Sequence, residues 1–206
     1  QLKVALLGEL PHMRKTHPDA YTAYLQAGYF QDQFKDESLN KALDLYQKAL
    51  DIDPEYVDAW MGLASTYISQ EMLGLRANDE AARLSREAAY RPLAILPNYA
   101  PAHQMIGWIA AVYDSDLVIA ARHYQQALEL TLNVSNNFSL LNNVGAFCLI
   151  LGRLDEAILV FEKAALLDPV NSAVQQNLGQ AYLWAWQLDK AADSYRATLA
   201  LSPDHQ

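Results

Sequence analysis

Apolar residues in the second half of the chain recur with the spacing of two consecutive amphipathic helices. One stretch has four such residues in i, i+3, i+4, i+7 spacing, which places them on one helix face: Leu141, Val144, Gly145 and Cys148. Gly152 predicts the end of this helix. A second helix is predicted from about Asp155 to Asp168, because Pro169 cannot continue it. Its inner face carries Ala157, Phe161 and Ala164.

This helix pair is an internal repeat. Four of its positions return 34 residues later, where Gly145, Ala157, Phe161 and Pro169 are matched by Gly179, Ala191, Tyr195 and Pro203. Similar marks occur earlier, and no stretch alternates as a strand would. The sequence therefore predicts an all-α fold of about five helix pairs, with approximate bounds 21–54, 57–97, 100–132, 138–169 and 172–206. Residues 1–17 are predicted to be a helix or linker that belongs to a preceding domain.

The earlier pairs depart from the 34-residue period. Pro97 follows Pro54 by 43 residues, and the extra residues are placed between Gln70 and Asp79. Pro92 is expected to kink its helix, because proline lacks the amide donor and its ring clashes with the preceding turn. A slightly long connection is predicted at residues 31–37, and a flexible joint at residues 133–137.

The period and its Leu-Gly, Ala, aromatic and Pro marks resemble the tetratricopeptide repeat. The resemblance implies a right-handed α-α superhelix, in which the first helices of successive pairs line a concave groove that holds another protein. It therefore implies a non-enzymatic interaction module.

Two segments resemble a narrower family, the C-terminal repeat regions of bacterial multidomain signalling proteins. They are residues 18–30, which include Pro18-Asp19-Ala20-Tyr21, and residues 113–124, which include Tyr113-Asp114-Ser115-Asp116. In that family the repeats follow a class III adenylate cyclase or a winged-helix DNA-binding domain. The resemblance implies a regulatory module that acts on an output domain in the same polypeptide, without indicating which output.

Composition excludes several classes of partner for this segment. The chain of 206 residues has a formal net charge of −9, which opposes contact with nucleic acid or an anionic membrane surface. No apolar run reaches the roughly 20 residues that span a bilayer. The first residue is Gln1 rather than Met, so the segment is expected to be a piece of a longer protein. A cytoplasmic location is expected, or a periplasmic one if a membrane helix lies upstream.

The outward face of the predicted first helices supplies the candidate groove. It mixes amides, which can bond to a peptide backbone, with large apolar groups that can anchor side chains. The candidates are Leu25, Tyr29, Met61, Ser65, Gln104, Trp108, Asn142, Ala146, Gln176, Gln180 and Leu183. For each one, an ordinary surface role is the alternative. Tetratricopeptide domains that clamp chaperone carboxylates need basic residues in this groove, and none of these candidates is basic.

Trp184 and Trp186 lie at the end of the last predicted first helix. Stacks of repeats usually close with a polar capping helix, and none is predicted after Pro203. This end is therefore a candidate interface, with a homodimer as one hypothesis and a continuing chain as another.

Other side chains offer little chemistry. The five histidines lack the i, i+4 spacing of a metal-binding pair, so no metal or cofactor is expected. Cys148 is expected in the core rather than as a nucleophile. Acidic runs such as Asp114–Asp116 are interpreted as helix caps and connections, or alternatively as a surface that selects a basic partner. A second hypothesis is a small-molecule sensor around Trp108 and Tyr113, and an enzyme has no support in the sequence.

Overall fold

The computed structural model describes residues 16–134 and 138–202, and these contain ten α-helices and no strand. In chain order the helices are α1 (Pro18–Asp32), α2 (Asp36–Ile52), α3 (Val57–Met72), α4 (Asn78–Ile95), α5 (Ala100–Val112), α6 (Leu117–Val134), α7 (Phe138–Ile150), α8 (Leu154–Leu167), α9 (Ser172–Trp184) and α10 (Leu188–Leu201). The prediction of an all-α fold with about five helix pairs is confirmed.

The helices pack first in pairs and then in a row. Each odd-numbered helix packs on the helix that follows it, from α1 on α2 to α9 on α10, and the turns between them are short. Each second helix also packs on the first helix of the next pair. Because one pair cannot bury both of its apolar faces alone, this stacking builds a solenoid with a continuous interior.

Close packing within a pair depends on a glycine that faces an aromatic ring. A Cβ atom added at Gly145 of α7 would lie 2.7 Å from the Cε1 atom of Phe161 in α8, which is closer than such atoms approach. Phe161 is fully buried, a burial that stabilises the fold by roughly 1.5–3 kcal/mol. The glycine–aromatic arrangement recurs with Gly107 against Tyr124 and with Gly179 against Tyr195. The repeated marks in the sequence therefore correspond to one repeated contact.

A residue with positive φ lies in the turn inside every pair. These residues are Phe34 (φ 50°), Gly74 (70°), Ser115 (54°), Gly152 (70°) and Trp186 (58°). In the last two pairs the turn is the same, since the amides of Gly152 and Trp186 donate to the carbonyls of Leu149 and Leu183, three residues earlier. Trp186 thus occupies the left-handed position that glycine holds one repeat earlier.

The extra residues of the second pair are spread more widely than the sequence indicated. Helices α3 and α4 have 16 and 18 residues, against 13 and 14 in α7 and α8. The turn between α3 and α4, residues 73–77, is also longer than the turn at residues 151–153. The expected long connection at residues 31–37 is wrong, because α1 continues to Asp32 and α2 begins at Asp36. Pro92 lies inside α4 and is buried.

The buried apolar side chains form three clusters along the row. One joins the first two pairs and reaches Ile106 of α5, and another joins the last two pairs and reaches Leu128 of α6. A small cluster lies between them and consists of Ala110, Ala120, Tyr124 and Phe147.

Some expectations fall outside the described residues. They concern the N-terminal helix or linker up to residue 15, part of the joint at residues 133–137, and Pro203 with the question of a cap after it. Within the described part of the chain, no helix combines the length and the apolar character needed to cross a bilayer.

Candidate functional site

A cavity of about 490 Å³ opens between the first helices of the three middle pairs. Its lining comes from α3, α5 and α7, with one residue from α6: Met61, Ser65, Ile68, Ser69, Pro101, Gln104, Met105, Trp108, Tyr124, Asn143, Ala146, Phe147 and Ile150. Helix spacing explains this set, because residues three and four apart lie on one face of each helix. The cavity is therefore formed by the groove-facing stripes of neighbouring repeats.

The polar groups on the α3 wall already take part in hydrogen bonds. Ser65 Oγ accepts from Gln31 Nε2 at 2.9 Å and donates to the Gly62 carbonyl at 3.0 Å, and Ser69 Oγ donates to the Ser65 carbonyl. Gln31 Oε1 also accepts from Tyr46 at 2.8 Å, so one amide ties α1, α2 and α3 together. This wall is fixed before any ligand binds.

Aromatic rings form the opposite part of the cavity. The rings of Tyr124 and Phe147 stack in nearly parallel planes, and burial raises the pKa of Tyr124 well above its usual range. Trp108 is half-buried, and its ring meets Tyr113 edge to face with centroids 5.3 Å apart. Gln104 and Asn143 add amides that can each donate and accept. No lining residue carries a charge, so the cavity suits an apolar group flanked by neutral polar atoms.

Tyr113 does not line the cavity, although the sensor hypothesis placed it beside Trp108. Its hydroxyl donates to Glu71 Oε2 at 3.1 Å. Burial, followed by this hydrogen bond and the Glu71 charge, raises the pKa of Tyr113 to about 12. Tyr113 thus packs against the ring of Trp108 without lining the cavity itself.

The structure brings only some of the predicted groove residues together. Met61, Ser65, Gln104, Trp108 and Ala146 line the cavity. The others lie elsewhere along the row: Leu25, Tyr29, Asn142, Gln176, Gln180 and Leu183.

These remaining residues have distinct surroundings. Leu25 and Tyr29 are exposed on α1, and Gln176 and Gln180 lie on α9. The side-chain oxygen of Asn142 accepts a hydrogen bond from Asn177 Nδ2 at 3.0 Å, which links α7 to α9. The next residue, Asn143, lines the cavity. On α7 the cavity is thus lined by Asn143 and Ala146 and not by Asn142.

A second depression, of about 320 Å³, lies at the turn inside the last pair. It is lined by Leu183, Trp184, Trp186 and Leu188. Trp184 is 50% exposed and Trp186 is 84% exposed, so both indole rings reach solvent at this end of the described chain.

Two histidines that lie far apart in the sequence meet in the structure. His103 Nδ1 lies 3.0 Å from His123 Nδ1, and the Nε2 atom of His103 lies 3.0 Å from the Pro97 carbonyl. Burial, the neighbouring His103 and the Arg122 charge lower the pKa of His123. The described residues contain no group of three or more His, Cys, Asp or Glu side chains arranged to hold a metal.

The Cys148 thiol is inert in this setting. Cys148 is buried on α7, as expected, and its pKa is raised to about 11 by burial. A thiol of this kind is a packing residue rather than a nucleophile.

Comparison with protein families identifies the repeat. Residues 33–70 match a family described as TPR repeat, and residues 138–171 match the family Tetratricopeptide repeat. The second matched segment contains the Ala157, Phe161 and Ala164 pattern of the sequence.

Known proteins resemble the chain over most of its length. A stretch of 166 residues, 81% of this chain, is 24% identical to the transcriptional regulator HilA of Salmonella typhimurium and covers 29% of HilA. The chain spans less than a third of the length of the curated relatives it matches.

Two solved structures share the fold. One is TTC0263, a thermophilic TPR protein of Thermus thermophilus, with a TM-score of 0.63, 21% identity and coverage of 90% of this chain and 93% of that one. The other is YrrB, described as a TPR protein with an unusual peptide-binding site, with a TM-score of 0.56, 23% identity and coverage of 91% and 88%. The chain thus contains tetratricopeptide repeats, and its described helices form a solenoid of them.

Proposed function

We propose that this chain is a non-enzymatic protein-interaction module that holds a segment of a partner protein in its concave groove. The observation that carries the proposal is the uncharged cavity between α3, α5 and α7, with Trp108 and Phe147 on one side and the amides of Gln104 and Asn143 beside them. Solenoids of helix pairs provide extended concave surfaces for binding, and proteins of this fold are generally scaffolds.

The cavity chemistry defines the bound segment. Its volume of about 490 Å³ accommodates a few side chains, and its walls contain no cation that could pair with a carboxylate. We therefore expect a neutral segment that places a bulky apolar side chain against Trp108 and offers backbone groups to Gln104. An acidic tail is disfavoured.

A peptide-display selection on the purified chain tests this function. Selected peptides should carry a large apolar residue, and Trp108→Ala should weaken their binding by tenfold or more, since a central aromatic anchor is worth about 2 kcal/mol. Leu166→Ala is the matched control, because Leu166 is 83% exposed and does not line the cavity. A selection that yields only peptides indifferent to Trp108→Ala would refute the groove assignment.

The larger context is part of the proposal. We infer a regulatory region of a bacterial signalling protein, cytoplasmic and acting on an output domain in the same polypeptide. The similarity to the transcriptional regulator HilA favours a transcriptional output over a cyclase.

Light scattering at high concentration tests the homodimer proposed for the Trp184 and Trp186 end. The complete reading frame tests the output domain, because a frame with neither output domain would contradict it.

A small-molecule sensor is the second candidate, and the volume of the cavity supports it. Sites for small ligands typically measure about 300–1,000 Å³, are mostly apolar and include a few polar groups. A thermal-shift screen against metabolites separates the two functions. A metabolite that raises the melting temperature of the native chain but not of Trp108→Ala would favour the sensor.

A further inference from the structure

A second apolar surface lies away from the cavity, on the turns inside the second and third helix pairs. We define the turn patch as Met72, Leu73, Leu75, Val112, Leu117 and Val118, all of which are exposed. Met72 and Val118 are 68% and 72% exposed, which is high for side chains of this size. None of the six residues lines the cavity between α3, α5 and α7. The turn patch is therefore a separate feature of the surface.

Hydrogen bonds join the two turns that carry the patch. Tyr113, which follows α5, donates its hydroxyl to Glu71 of α3 at 3.1 Å. Arg86 of α4 donates to Asp114 Oδ1 at 2.5 Å, which ties the second pair to the same turn. These two bonds hold the turns that carry the apolar residues next to each other.

The turn that carries Leu73 and Leu75 is longer than the corresponding turns of other pairs. Residues 73–77 form a five-residue turn, whereas residues 33–35, 151–153 and 185–187 form three-residue turns. Leu73 and Leu75 of this turn are apolar, and they remain 39% and 41% exposed. Exposed apolar residues in a lengthened turn are typical of a contact surface.

The patch is surrounded by negative charge. Residues 71–80 and 112–118 contain five carboxylates and one guanidinium group: Glu71, Asp79, Glu80, Asp114 and Asp116, with Arg76. Arg76 forms an ion pair with Glu80, and Arg86, which reaches the turn from α4, pairs with Asp114. A partner that covers the patch therefore meets a surplus of carboxylates.

Helix capping accounts for only part of this charge. Asp116 accepts from the amides of Val118 and Ile119 and so caps α6. Glu71 lies in the last turn of α3, and Asp114 follows the end of α5. A negative charge at the C-terminal end of a helix is unfavourable for the helix dipole. These two carboxylates therefore oppose the stability of their own helices.

We propose that the turn patch is a docking surface for the apolar face of a basic amphipathic helix supplied by another protein. The apolar stripe of such a helix covers Met72, Leu73 and Val118, and its flanking lysines or arginines lie near Glu71 and Asp79. Charge complementarity selects this partner, because an acidic or neutral helix supplies no cation to Glu71 and Asp79. The chain then has two binding surfaces, a neutral groove and an acidic turn.

A synthetic probe tests this surface directly. The probe is a labelled peptide of about 18 residues, made of leucine and lysine with leucines in i, i+3, i+4, i+7 spacing. Its affinity for the whole chain is measured by fluorescence anisotropy. Met72→Ser with Val118→Ser should weaken binding at least tenfold, and Glu71→Gln with Asp79→Asn should weaken it several-fold at low salt and little at high salt.

Matched controls assign the effect to the patch. Leu166→Ser with Val170→Ser removes two apolar groups that are at least as exposed, one in the last turn of α8 and one in the connection to α9, and should leave affinity unchanged. Circular dichroism of each variant confirms that the helices remain folded. Amide hydrogen exchange should show protection at residues 72–75 and 112–118 when the probe is bound.

Three results would overturn the proposal. In the first, the control with Leu166→Ser and Val170→Ser weakens probe binding as much as Met72→Ser with Val118→Ser does. In the second, a leucine–glutamate peptide with the same spacing binds as tightly as the probe. In the third, the bound probe protects amides outside residues 72–75 and 112–118 from exchange. Vesicles of phosphatidylserine and phosphatidylcholine test the alternative partner. Vesicle binding that Met72→Ser with Val118→Ser abolishes would assign the patch to lipid instead and would also overturn it.

Discussion

The ring of Phe161 lies directly over Gly145, with its Cε1 atom 2.7 Å from the place that a Cβ atom would occupy. Gly145→Ala would therefore force the two helices of the fourth pair apart. Overpacking costs about 1–3 kcal/mol, and the higher helix propensity of alanine returns about 1 kcal/mol. We expect a net loss of up to about 2 kcal/mol in the free energy of unfolding, measured by urea denaturation.

Gly28→Ala is the matched control for that substitution. A Cβ atom at Gly28 would meet only the Tyr46 hydroxyl, at 3.9 Å, which is an ordinary contact. This variant should therefore gain about 0.5–1 kcal/mol from helix propensity. Equal effects from Gly145→Ala and Gly28→Ala would contradict the importance of the glycine–aromatic contact.

Trp186 has a left-handed backbone and a ring that is mostly in solvent. A non-glycine residue in this conformation costs about 1–2 kcal/mol, while an exposed ring contributes little packing. Trp186→Gly should thus raise the free energy of unfolding by about 1 kcal/mol, whereas Trp186→Ala should leave the strain in place. A loss of stability in Trp186→Gly would mean that the indole ring packs on the fold.

The histidine pair predicts a dependence of stability on pH. Because the pKa of His123 is lowered in the folded chain, the unfolded chain binds more protons as pH falls below about 6.5, and stability is lost in that range. The groups that face the pair are the ring of Tyr90, the Pro97 carbonyl and Arg122. His123→Gln should flatten the fall in melting temperature between about pH 7 and pH 5. If the melting temperature of His123→Gln falls with pH as steeply as that of the native chain, the histidine pair is not the cause of the pH dependence.

The Cys148 thiol should react only after unfolding. Its pKa of about 11 leaves little thiolate at neutral pH, and its burial blocks access. Labelling with iodoacetamide at about pH 8 should be at least roughly 100-fold slower in the folded chain than in urea. Rapid labelling of the folded chain would show that α7 opens readily.

The repeat could be predicted from the sequence because it depends on local rules. Helix spacing places Val144 and Gly145 on one face, and the 34-residue period repeats the contact of Phe161 as that of Tyr195. These marks are sufficient to derive the all-α fold of about five helix pairs.

Particular side-chain contacts between helices could not be predicted in the same way. His103 and His123 come into contact because of how α5 is positioned along α6. The separation of 20 residues between the two histidines does not determine that position. The choice of Asn143 over Asn142 depends on a rotation of α7 that also brings Asn142 to Asn177. The 34-residue period indicates that Trp186 and Gly152 occupy equivalent positions. It does not indicate that both residues have positive φ.

The small middle cluster shares two side chains with the cavity. Tyr124 of α6 and Phe147 of α7 belong both to that cluster and to the cavity wall, so a bound segment would rest directly on the hydrophobic interior of the third and fourth pairs. Because anything that binds the folded chain alone shifts the folding equilibrium, occupation of the cavity should make the solenoid itself harder to unfold.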